Sequence, residues 1–146
     1  MKRIVFSLAL AACFILPAST WACEGQEHLH QAKALEPTKA TVADVASWTK
    51  AKQATAVDAN GKETRAAQGV IPGALLLSSS SEYDVKELPA DKSSKLVFYC
   101  ASQKCSASHK AAKRAIANGY TNVAVLPEGI SGWKQAGQPT AKPDNT

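Results

Sequence analysis

The sequence predicts an α/β domain built on a parallel β-sheet that is covered by helices on both faces. Two observations lead to this fold class. Short apolar segments typical of strands alternate along the chain with segments typical of helices. The strand-like segments show no alternation of polar and apolar residues, which is typical of strands buried on both faces. Ligand sites in such sheets lie beyond the carboxyl ends of the strands.

The first half of the predicted domain begins with a helix and delivers an acidic residue to the end of a strand. Pro37 breaks the chain, and Thr41 and Asp44 then form the pattern of a capping box. Apolar residues at helical spacing follow, so a helix is predicted through Trp48. The next predicted elements are a strand over 54–57 that ends at Asp58, a turn at 60–61, a polar helix over 62–68, a turn over 69–74 and a strand over 75–77.

The second half contains the most informative segment, a strand that ends at a cysteine and is followed by a helix. The predicted elements are a helical turn over 82–88, a strand over 95–99, a helix over 106–119, a strand over 122–126 and a short helix opening at Trp133. Asp58, Leu77, Cys100 and Leu126 therefore lie at the carboxyl ends of strands. The segment from Gln138 has two prolines and no apolar anchor, so we expect a disordered tail over 140–146.

The N-terminus has the pattern of a bacterial-type secretory signal peptide over residues 1–22. A basic start precedes an apolar run from Ile4 to Leu16, and small residues then occupy cleavage-like positions. The run is too short to span a bilayer. We therefore expect an exported protein, periplasmic or secreted, with a flexible leader over 23–36 and one domain over 37–139. A lipid anchor on Cys23 is an alternative, although Thr20 stands where a lipoprotein usually has Leu.

Charge and cysteine content narrow the function. Removal of residues 1–22 leaves 15 basic and 12 acidic residues, a net charge of +3 without a dense basic stripe, which does not indicate a nucleic-acid-binding protein. Three cysteines then remain, Cys23, Cys100 and Cys105. An odd number in an exported protein suggests a thiol that is free, reactive or paired between chains. Cys100 and Cys105 are five residues apart and form a candidate disulfide in a compartment that permits disulfides.

Cys100 is the candidate catalytic residue. It lies between the end of a strand and the start of a helix, where backbone N–H groups converge and favour a thiolate or a persulfide. The alternative is an inert cysteine of the core, because free cysteines are common in protein interiors.

Five features along the chain form a recognisable series: Asp58, Gly69–Ala74 (GVIPGA), Val97–Cys100 (VFYC), Gly119–Leu126 (GYTNVAVL) and Glu128–Trp133 (EGISGW). In this order and at roughly this spacing, they resemble the segments of the rhodanese-like sulfurtransferase family. The resemblance implies a three-layer α/β domain with a central, mostly parallel five-stranded sheet. It also implies that Cys100 carries a persulfide, taken from a small sulfur-containing donor and passed to a thiol acceptor. The implied active-site loop consists of Ala101, Ser102, Gln103, Lys104, Cys105 and Ser106.

The sequence departs from the family pattern at the site. Cys105 and Asn60 each stand where the family commonly has Arg, and Val70 stands where it usually has His. Lys104 is a candidate replacement cation in the loop, and Arg65 is a candidate partner for Asp58. Related phosphatases carry an Arg six residues after the cysteine, and this chain has Ser106 there, which argues against phosphoryl transfer.

Three functions remain open from the sequence. The first is sulfur transfer through Cys100, and the second is thiol–disulfide exchange or redox sensing by Cys100 and Cys105. For Cys105 two other roles stay open, a sulfur relay and simple packing in the first turn of the helix. The third is a binding module that has kept the fold and lost the chemistry. His109 shares a helix face with Cys105 and is either a proton-handling residue or an exposed surface histidine. We expect a monomer with no cofactor, metal ion, nucleic-acid partner or membrane span. Cys23, His28 and His30, with Glu24 and Glu27 nearby, form a candidate metal cluster, but a closed site needs about four ligands in a defined geometry, which a flexible leader does not provide.

Overall fold

The computed structural model of the protein describes residues 36–143. The predicted signal peptide, nearly all of the predicted leader and residues 144–146 lie outside the described residues. The elements are β1 Thr38–Lys39, α1 Val42–Lys50, β2 Thr55–Asp58, α2 Lys62–Gln68, β3 Leu75–Leu76, a 3-10 turn Val85–Glu87, β4 Leu96–Tyr99, α3 Ala107–Ala117, β5 Val123–Leu126 and α4 Gly129–Gln135.

The strands form one five-stranded sheet in the order β1-β5-β4-β2-β3, and every strand pair in it is parallel. The central strand, β4, is buried along its whole length because both of its faces are covered. Leu96 and Phe98 belong to the apolar cluster that includes three alanines of α3. Val97 and Tyr99 belong to the cluster on the other face, with Val45 of α1 and α4 residues. The predicted α/β fold with helices on both faces is confirmed.

The capping box predicted for α1 is present in full. The Thr41 hydroxyl accepts from the backbone amide of Asp44 at 3.2 Å, and the Asp44 carboxylate accepts from the amide of Thr41 at 3.0 Å. These contacts fix the start of α1 because they satisfy amides that have no partner within the helix. The polar helix α2 also has its predicted bounds, Lys62–Gln68.

Two elements differ from those predicted. Strand β1, a two-residue edge strand that pairs with β5 at Thr38 and Lys39, was not predicted. Helix α4 begins at Gly129 rather than at Trp133, because Gly129 adopts a positive φ of 61° that turns the chain into the helix directly after β5. A strand of two residues is too short to give a periodic signal.

The segment after α4 is anchored further than its composition predicts. Ala141 and Val70 exchange two backbone hydrogen bonds of 2.9 Å each in an antiparallel bridge. The Trp133 indole also donates to the carbonyl of Pro139 at 2.7 Å. The prediction of a disordered tail over 140–146 is therefore wrong for its first residues, up to Ala141. Backbone pairing of this kind leaves no apolar signature in the sequence.

Among residues 36–143, no helix has the length and apolar character needed to cross a bilayer. This finding covers only the described part of the chain.

Candidate active site

The candidate site lies at the carboxyl edge of the sheet, beyond its central strand. Cys100 directly follows β4, and the last residue of that strand, Tyr99, is in register with Asp58 of β2 and Leu126 of β5. The parallel arrangement brings the ends of these three strands to one edge. The predicted placement of Cys100 and Asp58 at strand ends is therefore what the structure shows.

The Cys100 sulfur is buried but lies among polar atoms. The residue is 1% exposed. Its Sγ lies 3.2 Å from the carbonyl oxygen of Cys105 and 3.8 Å from that of Ser102, with both oxygens accepting from the thiol. The Ser108 hydroxyl, buried in the first turn of α3, lies 3.4 Å from the same sulfur. The site is thus not walled by hydrocarbon, and it differs in this from an inert core cysteine.

The loop over 101–106 curls around this sulfur and presents its middle to solvent. The amide of Cys105 donates to the carbonyl of Ser102 at 3.0 Å, which closes the loop. Gln103 and Lys104 at its tip are exposed. Ser106 is the residue before α3 and makes no side-chain cap there. Lys104 is therefore exposed at the loop tip, and its role as a replacement cation stays a prediction.

Helix α4 holds the loop from the other side. The amide of Ile130 donates to the carbonyl of Cys100 at 2.8 Å, and the amide of Ser131 donates to the carbonyl of Ala101 at 3.0 Å. Gly129 makes this close approach possible, since a Cβ there would overlap the carbonyl oxygen of Cys100. The backbone of Cys100 is thus fixed by the start of α4, and its side chain by the start of α3.

The pKa values of the two site cysteines are shifted in opposite directions. Burial raises the pKa of Cys100 and interaction with the Cys105 thiol raises it further, against the lowering effect of Ser108. Burial also acts to raise the pKa of Cys105, but the net pKa is lowered by interaction with the Cys100 thiol, by the amides of Ala107 and Ala101 and by the charge of Lys110. The amides of Ala101 and Ala107 therefore favour negative charge at Cys105. The amide of Ser108, at the start of α3, favours it at Cys100 as predicted, but burial outweighs that effect.

The predicted pair of thiols is brought together without a bond. Cys100 and Cys105 are both free in the structure, the first buried and the second partly exposed. The disulfide between Cys100 and Cys105 in an oxidising compartment stays a prediction. Cys23, His28 and His30 lie outside the described residues. Within 36–143, no cluster of three or more potential metal ligands is present.

Asp58 and Arg65 form a buried ion pair that ties β2 to β3. Asp58 is fully buried, and its Oδ1 accepts from the Arg65 Nε at 3.3 Å and from the amide of Asn60 at 2.7 Å. The same guanidinium donates to the carbonyls of Asp58 and Leu77, at 3.0 and 2.8 Å. The structure thus brings the candidate partner Arg65 to Asp58. Through these contacts the ion pair holds the carboxyl end of β2 next to the residue that follows β3.

His109 lies on α3, one turn beyond Cys105, and is partly exposed. No hydrogen bond joins its imidazole to another residue within 36–143. Cys105 lies in the loop before α3, so the prediction that His109 and Cys105 share a helix face is wrong. The role of His109 stays a prediction.

Sequence reasoning missed three residues that shape the site. Ser108 contacts the Cys100 sulfur, and its position in the first turn after the loop is the signal that would have found it. Gly129 allows α4 to touch the loop. Tyr99, read only as an apolar strand residue, accepts from the amide of Ile71 at 3.0 Å through its hydroxyl, and so ties the central strand to the turn before β3.

Known proteins resemble this chain in fold. A rhodanese-related protein from Thermoplasma volcanium is 23% identical and superposes with a TM-score of 0.60 over 73% of this chain and 99% of its own. A human single-domain sulfurtransferase is 22% identical, with a TM-score of 0.54 over 66% of this chain and 95% of its own. A Rhodopseudomonas palustris protein of unknown function, described as a possible tyrosine phosphatase, is 27% identical, with a TM-score of 0.59 over 72% and 85%.

No curated protein matches the chain. The model of the rhodanese-like domain family matches residues 41–136, which is most of the sequence and includes the whole candidate site from Asp58 to Gly129. With the parallel sheet and the cysteine beyond its central strand, this match identifies the chain as a member of the rhodanese-like domain family.

Proposed function

We propose that this protein is an exported sulfurtransferase that carries a persulfide on Cys100 and transfers the outer sulfur to a thiol acceptor. Export rests on the signal-like segment 1–22, and sulfur transfer rests on the site. The single observation that carries the chemistry is the position of the Cys100 sulfur. It lies beyond the central strand at the start of α3, among polar groups from the loop and Ser108.

The reaction combines the Cys100 thiol with a donor and an acceptor from solution. Once Cys100 has lost its proton, its thiolate attacks the outer sulfur of a donor such as thiosulfate, a sulfur–sulfur bond forms, and sulfite leaves with the electron pair of the broken bond. The persulfide that remains is an anion, and the start of α3 favours negative charge nearby. An acceptor thiolate then attacks the outer sulfur and releases the Cys100 thiolate. The exposed Lys104 and Lys110 favour the approach of an anionic donor.

Cys100→Ser tests this proposal. We expect the variant to lose thiosulfate-to-acceptor activity, together with the mass of one sulfur atom that thiosulfate adds to the wild-type protein. Cys23→Ser is the matched control, since it removes a thiol outside the described domain by the same substitution and should keep the activity. Full activity in Cys100→Ser would reject the assignment.

A second candidate function is thiol–disulfide exchange by Cys100 and Cys105. The observation that favours it is the pairing of a buried thiol of raised pKa with a more exposed thiol of lowered pKa. A reversible bond between the two cysteines, together with no persulfide after thiosulfate treatment, would support this function instead.

A further inference from the structure

The two thiols of the site differ in how a donor can reach them. Cys100 is 1% exposed, and the loop over 101–106 lies between its sulfur and solvent. Cys105 belongs to that loop and is partly exposed. A sulfur donor that arrives from solution therefore meets Cys105 before it meets Cys100.

The surroundings of Cys105 also suit a first encounter with an anion. The side chains of Lys104 and Lys110 are exposed on either side of it along the chain. The amides of Ala101 and Ala107 and the charge of Lys110 all favour the thiolate of Cys105. A thiolate, and not a thiol, is the nucleophile in sulfur chemistry.

Cys100 is held in the complementary state. Two carbonyl oxygens, those of Ser102 and Cys105, lie at 3.8 and 3.2 Å from its sulfur and can only accept hydrogen bonds. They stabilise the protonated thiol of the free protein. Cys100 therefore needs a partner that takes its proton when sulfur arrives, and the thiol group of Cys105 is its neighbour.

We propose that Cys105 is the first acceptor of sulfur and relays it to Cys100. This inference rests on the proposed sulfurtransferase function and assigns a second catalytic thiol to it. The class of donor is a small anionic sulfane-sulfur compound, of which thiosulfate is the simplest.

The relay balances in two steps. In the first, the Cys105 thiolate attacks the outer sulfur of thiosulfate, and sulfite leaves as the Cys105 persulfide forms. In the second, the Cys100 sulfur attacks the outer sulfur of that persulfide. The bond from this sulfur to Cys105 breaks, and Cys105 leaves with the electron pair and takes the proton of Cys100. The products are a Cys100 persulfide and a Cys105 thiol, with no added oxidant or reductant.

The sequence allows the position of the sulfur to be read directly. Trypsin cleaves after Lys95, Lys104 and Lys110, so the two cysteines fall on separate peptides, 96–104 and 105–110. The full chain is mixed with thiosulfate, quenched at successive times with an alkylating agent that traps persulfides, digested and weighed. Wild type, Cys105→Ser and Cys100→Ser are compared, with Cys23→Ser as the matched control. Circular dichroism confirms that each variant is folded.

The relay predicts three results. In wild type, the extra sulfur appears on peptide 105–110 before it appears on peptide 96–104. In Cys100→Ser, it stays on 105–110. In Cys105→Ser, loading of Cys100 slows by about tenfold or more, because the remaining thiol is buried and protonated.

Other outcomes overturn the relay and separate it from the function on which it rests. Loading of Cys100 at the wild-type rate in Cys105→Ser, or no sulfur on 105–110 in Cys100→Ser, would reject the relay and leave a one-cysteine sulfurtransferase. Peptides 96–104 and 105–110 joined by a disulfide, with sulfide released, would reject the relay in favour of thiol–disulfide chemistry. No persulfide on either peptide in wild type would reject both proposals.

Discussion

Replacement of Gly129 by alanine should test whether the contact between α4 and the site loop is as tight as the structure shows. Gly129 has a φ of 61°, and an added Cβ would overlap the carbonyl oxygen of Cys100 and lie 2.8 Å from both the carbonyl carbon of Ala101 and the amide nitrogen of Ser102. All three are backbone atoms, so the clash can be relieved only if the loop or the helix moves. The matched control is Gly137→Ala, because Gly137 has a φ of 71° and nothing within 4 Å of the position of its Cβ.

The two substitutions share the backbone penalty and differ in the clash. An L-residue with positive φ costs about 1 kcal/mol, which is the whole effect expected for Gly137→Ala. Gly129→Ala adds overpacking of about 1–3 kcal/mol and weakens two hydrogen bonds worth about 1 kcal/mol each. Those bonds are the ones from Ile130 and Ser131 to the loop, at 2.8 and 3.0 Å. We expect a total loss of about 3–5 kcal/mol.

Equilibrium unfolding in urea measures this difference. With an ordinary dependence on denaturant, the midpoint of Gly129→Ala should fall by about 2 M relative to wild type, and that of Gly137→Ala by less than about 1 M. The alkylation rate of the site thiols should change in Gly129→Ala and remain at the wild-type value in Gly137→Ala. Equal midpoints for the two variants would refute the claim that α4 fixes the backbone of Cys100 by direct contact.

Two further predictions concern buried groups away from the sulfur. Arg65→Met leaves the buried carboxylate of Asp58 without its cation and should lower the free energy of unfolding by about 3–5 kcal/mol in urea titrations. The control is Lys113→Met, which breaks an exposed 2.8 Å pair with Glu36 and should leave the free energy of unfolding unchanged. Equal losses in the two variants would contradict the stabilising role of the buried ion pair. Burial raises the pKa of Tyr83 to about 12, so the folded state favours the neutral phenol. The neutral Tyr83 side chain therefore contributes its full stabilisation below about pH 10, and this stabilisation is lost as the pH rises from about 10 to 12. Urea midpoints measured across that range should fall less steeply in Tyr83→Phe than in wild type, and an unchanged slope would contradict this assignment.

The fold could be predicted because its determinants are local in the sequence. The capping box at Thr41 and the apolar run that ends at Tyr99 are each specified by a few adjacent residues. Elements defined by long-range pairing were missed. Strand β1 exists through its partner β5, and Ala141 is held by Val70, so neither has a local signal.

The position of the site could also be predicted, because a cysteine after the central strand of a parallel sheet must lie at its carboxyl edge. The sequence suggested the pairing of Asp58 with Arg65 as a hypothesis. Their separation of seven residues could not establish it, because the guanidinium is also positioned by the carbonyl of Leu77. Ser108 and Gly129 matter through one short approach each, and such contacts depend on how α3 and α4 enter the loop.

The division of labour between the two cysteines could not be predicted, because it depends on the direction of backbone dipoles rather than on residue types. A loop that follows a strand and precedes a helix offers both amides and carbonyls to its interior. In this loop the carbonyls of Ser102 and Cys105 face the buried Cys100 sulfur, while the amides of Ala101 and Ala107 favour charge at Cys105. The residue at the fifth position after Cys100, where the family commonly has a cation, is here a second cysteine. The same change that removes a fixed positive charge from the loop thus supplies a thiol of lowered pKa, which is the group that the proposed relay uses.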